Sequence, residues 1–454
     1  MNNSLTILSD FIKNKSIVLL GFGKEGQSTY RFIRSYFPQM HICIADGNEA
    51  IGEHGLLKCD DNISFELGED FLNNIAEFDI VFKSPGISFK NYIVPLNQII
   101  SSQTELFFRL YSSQIIGVTG TKGKSTTVSL LYHILSKLGK DTLLIGNIGT
   151  PALDVTHLIK EKTILVYELS SHQLEFVSAS PHISILLNLY QEHLDHYSSY
   201  HDYRFAKWNI SKFQNVNDTF IYCSDDEQIA EDMKLQKINA KSLCYGFNYK
   251  SSISYYNNKL IVNGEKPKEF DIKEFKLLGE HNIYNLMAVL LACSSLGLDI
   301  EECLHASYSF NGLPHRIEFV ATKKGIKFYN DSIATIPQAT IKAIESIDDV
   351  DTLILGGFDR AIAYSVLVEY LTSFRPLNLL LVGKVGDSLF DALDKSNYKG
   401  KLIKLNSFND IISKAIEYTA IGKSCLLSPA ASSYDSFKNF EERGDKYKAL
   451  INTI

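Results

Sequence analysis

No stretch of this 454-residue chain approaches eighteen uncharged apolar residues, so the sequence holds no candidate transmembrane helix. Asp10, Lys13 and Lys15 stand ahead of the first apolar run, which argues against a secretory signal. The seven cysteines (43, 59, 223, 244, 293, 303 and 425) form no C-x-x-C pair. Their odd, scattered arrangement excludes a disulfide framework and a zinc ribbon. A surplus of positive charge is also missing: 45 Lys and Arg against 52 Asp and Glu leave a net charge of -7, which disfavours a polycationic surface for nucleic acid. Neither a low-complexity tract nor a short-period repeat is visible. With 45% apolar and 21% charged residues, near globular averages, the expectation is a soluble cytoplasmic protein that can fill a core in each of about three domains.

Short β-branched runs alternate with longer segments of 3.6-residue period. Strands are predicted at 16–20, 42–45, 80–82, 115–119, 163–167 and 183–187, an alternation that reads as parallel α/β layers. A helix is predicted over 125–138, with Leu130, Leu131, Ile134, Leu135 and Leu138 on one stripe and Gly139 as its stop. The segment 282–296 repeats that design before Gly297. Beyond Gly312 a new alternation begins, with strands near 327–329, 352–355, 377–382, 401–405 and 424–427. Boundaries near 102 and 312 divide the chain into three α/β domains, 1–102, 103–312 and 313–454.

The first strand runs into Gly21-Phe-Gly23-Lys-Glu-Gly26, and Asp46 follows Gly26 by twenty residues. That is dinucleotide-binding spacing: the glycines let backbone N–H groups approach a diphosphate, and the acid can take a ribose hydroxyl. A tight strand-to-helix turn without a ligand has the same pattern. The second loop, Ile115-Ile-Gly-Val-Thr-Gly-Thr-Lys-Gly-Lys-Ser-Thr-Thr127, is sharper. Amides of Gly120, Thr121, Lys122 and Gly123 can wrap phosphate oxygens, the Lys124 ammonium can reach the β and γ phosphates, and the Ser125 hydroxyl, next to Thr126, can bind magnesium. Val118 stands where a Walker A loop has its first Gly, so this is a variant P-loop.

Two further strands end in polar clusters: Glu168 in Tyr-Glu-Leu-Ser-Ser-His-Gln-Leu-Glu175, and Asn188-Leu-Tyr-Gln-Glu-His193-Leu-Asp-His196. Magnesium prefers carboxylate oxygen, so Glu168 is the better ligand candidate and His193 an assisting one. Histidines 193, 196 and 201 also fit solvated loop residues or, less well without Cys or H-E-x-x-H, zinc. Lys207, on a predicted helix, reads by itself as a solvated surface charge.

Gly-Thr-x-Gly-Lys-Ser, Glu-Leu-Ser-Ser, Glu-His-Leu-Asp and Arg-x-x-Ala-Lys, in this order, resemble the Mur ligases of peptidoglycan synthesis. The C-terminal motifs Gly312-Leu-Pro-His-Arg316, Asn330-Asp331-Ser-Ile-Ala-Thr335, Leu355-Gly-Gly-Phe-Asp-Arg360 and Ser428-Pro-Ala-Ala-Ser-Ser433 through Phe440 look like its glutamate-adding branch, and Asp-Asn-Pro-Arg of the diaminopimelate- or lysine-adding branch is absent. The resemblance implies a Rossmann-like N-terminal domain, a central P-loop ATPase-like domain and a Rossmann-like C-terminal domain. It implies an ATP-dependent amide ligase that joins glutamate, expected as the D form, to UDP-N-acetylmuramoyl-L-alanine through an acyl phosphate. L-glutamate as acceptor, or a nicotinamide-dependent dehydrogenase, is the alternative. By the resemblance Gly23, Lys24, Glu25, Asp46, Ser84, Pro85, Gly86 and Asn147 hold the UDP substrate. Asn282, Arg316 and Asp331 join the glycine loop on ATP; Thr335, Arg360, Ser433 and Phe440 receive the amino acid. Lys207 would be carbamylated and hold a second Mg2+ beside Glu168 and His193. Ile333 and Arg360 depart from the lysines common there. The expected partners are small molecules, with neither nucleic acid nor membrane, and the expected state is a monomer.

Overall fold

Ile17-Val-Leu-Leu has all four residues buried, so the strand they form needs cover on both faces, as a central parallel strand does. The computed structural model describes residues 2–90, 92–148, 150–248, 250–264, 266–360 and 362–454, with side chains from residue 6 onward. The first sheet contains β1 (Ile17–Leu20), β2 (Ile42–Asp46), β3 (Ile63–Leu67), β4 (Ile80–Lys83) and β5 (Ile99–Ser101), all parallel in the order β3-β2-β1-β4-β5.

Among the described residues the second sheet holds nine strands: β6 (Ile115–Thr119), β7 (Thr142–Gly146), β8 (Ile164–Glu168), β9 (Ile183–Leu186), β10 (Thr219–Cys223), β11 (Lys241–Gly246), β12 (Ile253–Tyr256), β13 (Lys259–Val262) and β14 (Lys268–Asp271). Their order is β14-β13-β12-β11-β10-β9-β6-β8-β7. From β7 to β12 the neighbours are parallel, and β12, β13 and β14 then form an antiparallel meander at one edge. The purely parallel reading did not anticipate this edge. Its first turn is Asn257-Asn258, both at positive φ (48° and 62°), the backbone a two-residue hairpin requires and Asn tolerates.

The third sheet contains β15 (Glu318–Lys323), β16 (Ile326–Asn330), β17 (Val350–Gly356), β18 (Asn378–Val382), β19 (Lys401–Leu405) and β20 (Ser424–Leu427), in the order β15-β16-β20-β17-β18-β19, with only β15 antiparallel. Period-two alternation divides its residues between two cores. Leu353, Leu355, Leu379 and Leu381 pack on one face; Ile354, Leu380, Cys425 and Leu427 pack on the other.

Among the described residues the α/β fold thus has three sheets, in two compact units: Met1–Phe275 with Glu280–Ser309, and Lys276–Gly279 with Phe310–Ile454. Within the first unit, one apolar cluster runs from Leu19 and Ile80 of the first sheet through Phe107 and Phe108 to Tyr167 of the second. Tyr167 meets both phenylalanine rings edge-on, at 5.8 and 6.0 Å between centroids. An ion pair between Arg31 and Asp154, 2.7 Å, ties the same two sheets at the surface. Among the described residues no helix is long and apolar enough to cross a membrane.

The helix Lys124–Lys137 starts one residue before its predicted span, with Gly123 as N-cap at φ 85°. It stops as expected at Gly139 (φ 69°), where Lys140 N–H donates to Leu135 O and Gly139 N–H to Ser136 O, both 3.0 Å. In the first glycine loop, a Cβ on Gly26 would lie 2.1 Å from Gly21 O, whereas one on Gly23 would meet open space. Gly26→Ala is therefore expected to lower unfolding free energy by about 1–3 kcal/mol, and Gly23→Ala by less than about 0.5 kcal/mol, in urea titrations. Equal losses would show that strand-to-helix closeness at Gly26 is not the constraint.

Candidate active site

The second glycine loop lies at the carboxyl edge of four adjacent parallel strands in the order β9-β6-β8-β7. Parallel sheets place ligands at this edge. Gly120 leaves β6 at φ 152°, where a Cβ would come within 2.8 Å of Leu187 Cβ. The loop is locked to the end of β9: Thr121 N–H donates to Asn188 O (3.0 Å), Lys122 N–H to Asn188 Oδ1 (2.8 Å), and Asn188 Nδ2 to Lys122 O (3.1 Å). Gly123 sits against Asn285, whose Oδ1 would be 2.8 Å from a Cβ there, and Asn285 Nδ2 donates to Asn282 Oδ1 at 3.1 Å. The residue expected at adenine is thereby linked through one side chain to the phosphate loop. Ser125 and Thr126 occupy the first turn of the following helix.

Lys124 Nζ folds back to donate to Gly120 O (2.9 Å) and Thr121 O (3.0 Å). Lys207 Nζ reaches the same Gly120 O at 2.9 Å and is only 2% exposed. The surface-charge reading of Lys207 is thus corrected: the helix Tyr200–Lys212 turns it inward over the Tyr203 ring, 4.9 Å away. Burial first, and the neighbouring Lys124 second, hold its pKa well below the ordinary lysine value. Both causes disfavour its ammonium form. Tyr203 also fixes the loop, its hydroxyl 3.0 Å from Thr121 Oγ1, and burial raises its pKa to about 12.

Glu168 ends β8, and its carboxylate is enclosed, 3% exposed. Asn147 follows the neighbouring β7 and is exposed; Gly146 before it stands at φ 106°, where a Cβ would be 2.3 Å from Glu168 O. His193 is half-exposed at φ 58°, with its ring 4.9 Å from His172 and 5.9 Å from Tyr203. The other histidines do not join it in a metal cage. His201 is exposed, and His196 is bonded to Glu175. His172 is held near pKa 4, by burial first and by His196 next.

In the first sheet, Ser84 Oγ donates to Gly21 O (2.8 Å), so the Ser84-Pro85-Gly86 turn and the first glycine loop form one surface. Asp46 Oδ2 accepts from Phe22 N–H (2.7 Å) and Oδ1 from Asn48 N–H (2.9 Å), so this carboxylate shapes the loop. Lys24 and Gly23 are exposed. Glu25 accepts from Gln173 Nε2 at 2.7 Å through Oε1, while its buried Oε2 has no partner; burial raises its pKa against that bond and the Lys83 charge.

In the second unit, Asp331, Arg360 and Ser433 follow the carboxyl ends of β16, β17 and β20. Ser433 is buried, Thr335 and Phe440 are half-buried, and Arg360 and Arg316 are exposed. The loops after β16 and β20 are gathered by Arg443, a 2%-exposed residue that sequence reasoning missed. Its guanidinium donates to Ser332 Oγ (3.0 Å), Ser332 O (2.8 Å), Ala431 O (3.0 Å) and Ser432 O (3.3 Å), and Ser332 Oγ donates to Phe440 O (2.8 Å). Burial lowers its pKa to about 10, leaving it charged at neutrality.

A family model described as the Mur ligase middle domain matches residues 118–293. Across 468 aligned residues and the whole of both chains, the sequence is 33% identical to the UDP-N-acetylmuramoylalanine--D-glutamate ligase of Clostridium novyi (strain NT). The chain belongs to the Mur ligase family. A second member, from Clostridium tetani (strain Massachusetts / E88), is 31% identical over the full length of both chains and carries the same name. Among solved structures, the Mur ligase fold recurs in MurF from Thermotoga maritima in complex with ADP, with TM-score 0.56, 17% identity and 100% of both chains covered. It recurs also in a UDP-N-acetylmuramoyl-L-alanyl-D-glutamate--2,6-diaminopimelate ligase, with TM-score 0.59, 16% identity, and 91% of this chain and 93% of that one covered.

Asp331 carries a pH dependence that can be measured. Burial raises its pKa from 3.8 to about 7, against the bonds from Ser428 Oγ (2.7 Å) and Ile317 N–H (3.2 Å) and the Arg316 charge. The folded protein therefore holds a proton that the unfolded chain releases near 3.8. This group's contribution to stability is complete below that value and is lost as pH rises through about 7. Asp331→Asn should flatten the fall in urea midpoint between pH 5 and pH 8; a variant with the wild-type slope would place the titrating group elsewhere.

Proposed function

We propose that this chain is the ATP-dependent ligase that joins D-glutamate to UDP-N-acetylmuramoyl-L-alanine. Full-length relatives with that name support the reading. The observation that carries it is the convergence of Lys124 and the buried Lys207 on Gly120 O, beside the enclosed Glu168 at the same sheet edge. We assign residues 1–102 to the UDP part of the substrate, through the Gly23, Lys24, Glu25 and Ser84-Pro85-Gly86 surface, with Asp46 shaping it. Residues 103–312 take ATP and 313–454 the amino acid, with Asn147 facing the UDP substrate. Arg316 and Asp331 serve ATP; Thr335, Arg360, Ser433 and Phe440 serve the acceptor. Nucleotide substrates imply a cytoplasmic enzyme, and we expect it to work as a monomer.

The alanyl carboxylate is a poor electrophile until its oxygen attacks the γ-phosphate and ADP leaves. The amine of glutamate then attacks the acyl phosphate, loses a proton and expels phosphate. The Thr121 and Lys122 amides, expected to wrap phosphate, are instead bonded to Asn188, so the Gly123 amide and the Lys124 ammonium are left to oppose the charge on the transferring phosphoryl group. Magnesium, when bound, would neutralise phosphate charge at this edge. Ser125, Glu168 and His193 fit it, with Lys207 once carbamylated, because hydroxyl and carboxylate oxygens suit this ion. Among the described residues no three His, Cys, Asp or Glu are grouped as a cage. In its neutral form, which burial favours, the enclosed Lys207 amine can add CO2 and release one proton, becoming an anionic oxygen ligand, which is how a lysine would serve here.

Phosphate release from ATP and UDP-N-acetylmuramoyl-L-alanine should depend on D-glutamate and not on L-glutamate. Equal response to both would revise the acceptor, and release without either would remove the ligase reading. Lys124→Ala should lower turnover by about 10²-fold or more with the fold retained by circular dichroism. Lys207→Ala should be inactive and regain turnover with a short carboxylate; rescue by methylammonium instead would exclude a carbamate. Arg360→Ala should raise the KM for glutamate by about 10- to 150-fold, the worth of one charge-assisted bond, and leave the KM for ATP nearly unchanged.

A further inference from the structure

The turn assigned to the UDP diphosphate and the loop carrying His193 belong to different sheets, yet one buried chain of polar groups joins them. Lys83 is the last residue of β4, immediately ahead of Ser84-Pro85-Gly86, and is 4% exposed. Its Nζ donates to Glu175 Oε2 at 2.9 Å, between the rings of Phe89 and Phe176, 5.6 and 5.7 Å away. Glu175 follows the short helix Ser171–Leu174, and its Oε1 lies 2.6 Å from His196 Nε2. The backbone N–H of His196 donates in turn to His193 O at 3.1 Å. Two flanking bonds hold the same segments together: Ser88 Oγ donates to His196 O (2.8 Å) and Lys90 Nζ to Leu194 O (3.2 Å).

Packing alone does not call for this arrangement. Desolvating two charges offsets most of their attraction, so apolar residues of the same size would hold the sheets together as well or better. The charged chain supplies direction instead. If Lys83 moves away, Glu175 is left buried with one oxygen unpaired, so a shift of the β4 turn must be followed by Glu175 and by His196.

We propose that Lys83, Glu175 and His196 are positioning residues that couple occupation of the UDP-sugar turn to the placement of the His193 loop, so that sugar-nucleotide binding and divalent-cation binding strengthen each other. This rests on the functional reading above. Because coupling between two sites is reciprocal, it can be read from either ligand.

The probe is UDP-N-acetylmuramoyl-L-alaninamide, which keeps the nucleotide and sugar but has no carboxylate to offer a metal. Mn2+ binding to the full chain with ADP present is followed by electron paramagnetic resonance, with and without the probe. In the wild type the probe should tighten Mn2+ by about 5-fold or more. Lys83→Met combined with Glu175→Leu removes both charges and orphans neither; it should still bind probe and Mn2+ separately, with coupling below about 2-fold. Lys83→Arg should retain the wild-type coupling, a rescue that a purely structural role does not predict for metal affinity. Undiminished coupling in the double variant, loss of coupling in Lys83→Arg, or a wild type that binds both ligands without coupling would each overturn the relay. A wild type that binds neither would instead remove the functional reading. Should the double variant unfold, Glu175→Gln, which keeps size and one hydrogen bond, must show the reduced coupling or the relay falls.

Discussion

Two amines share one backbone oxygen, and the character of the second sheet's carboxyl edge follows from that crowding. Gly120 O accepts from both Lys124 and Lys207, so the two cannot both be comfortable as buried cations. Burial and this crowding both lower the pKa of the less exposed one, Lys207. The fold accepts this conflict because the atoms around it are over-determined: Gly120 and Gly123 adopt backbone angles closed to other residues, and Asn188 and Asn285 brace the loop from two sides. A chemically unusual lysine is thus a product of packing rather than of its neighbours in sequence.

The first two sheets behave as one body for a similar reason. Tyr167 precedes Glu168 on β8, and its ring is wedged between Phe107 and Phe108, so the strand that presents the enclosed Glu168 carboxylate is also the strand that closes the shared core. Any substitution that loosens this wedge would be felt at the carboxylate one residue away. In the second unit Arg443 plays the gathering role with hydrogen bonds alone, tying together the loops after β16 and β20.

Features set by neighbours in sequence were legible beforehand. Both glycine loops, the helix stop at Gly139 and the third-sheet strands 401–405 and 424–427 were readable because spacing and local conformation decide them. The burial of Lys207, the pairing of Lys83 with Glu175 across 92 positions and the role of Arg443 were not. Each depends on which helix face meets which loop, a tertiary fact that leaves a lone Lys or Arg looking like any solvated charge. Only the family resemblance singled out Lys207, and it offered nothing for Arg443 or Lys83. The meander β12 to β14 was missed for a different reason: its four-residue strands mix Ser, Lys, Glu and Asp with apolar residues and are partly exposed, unlike the fully buried four-residue strands β1 and β20.

That meander has a consequence for how copies of the chain meet. A nine-stranded, largely parallel sheet ending in an apolar strand would offer unpaired amides and carbonyls as a template for another polypeptide. Here the outermost strand is Lys-Glu-Phe-Asp, with Lys268, Glu269 and Asp271 exposed and Lys259 of β13 paired to Glu269 at 2.7 Å. An approaching strand would have to strip water from alternating charges before forming its first backbone bond, so this edge resists aggregation even when the protein is abundant.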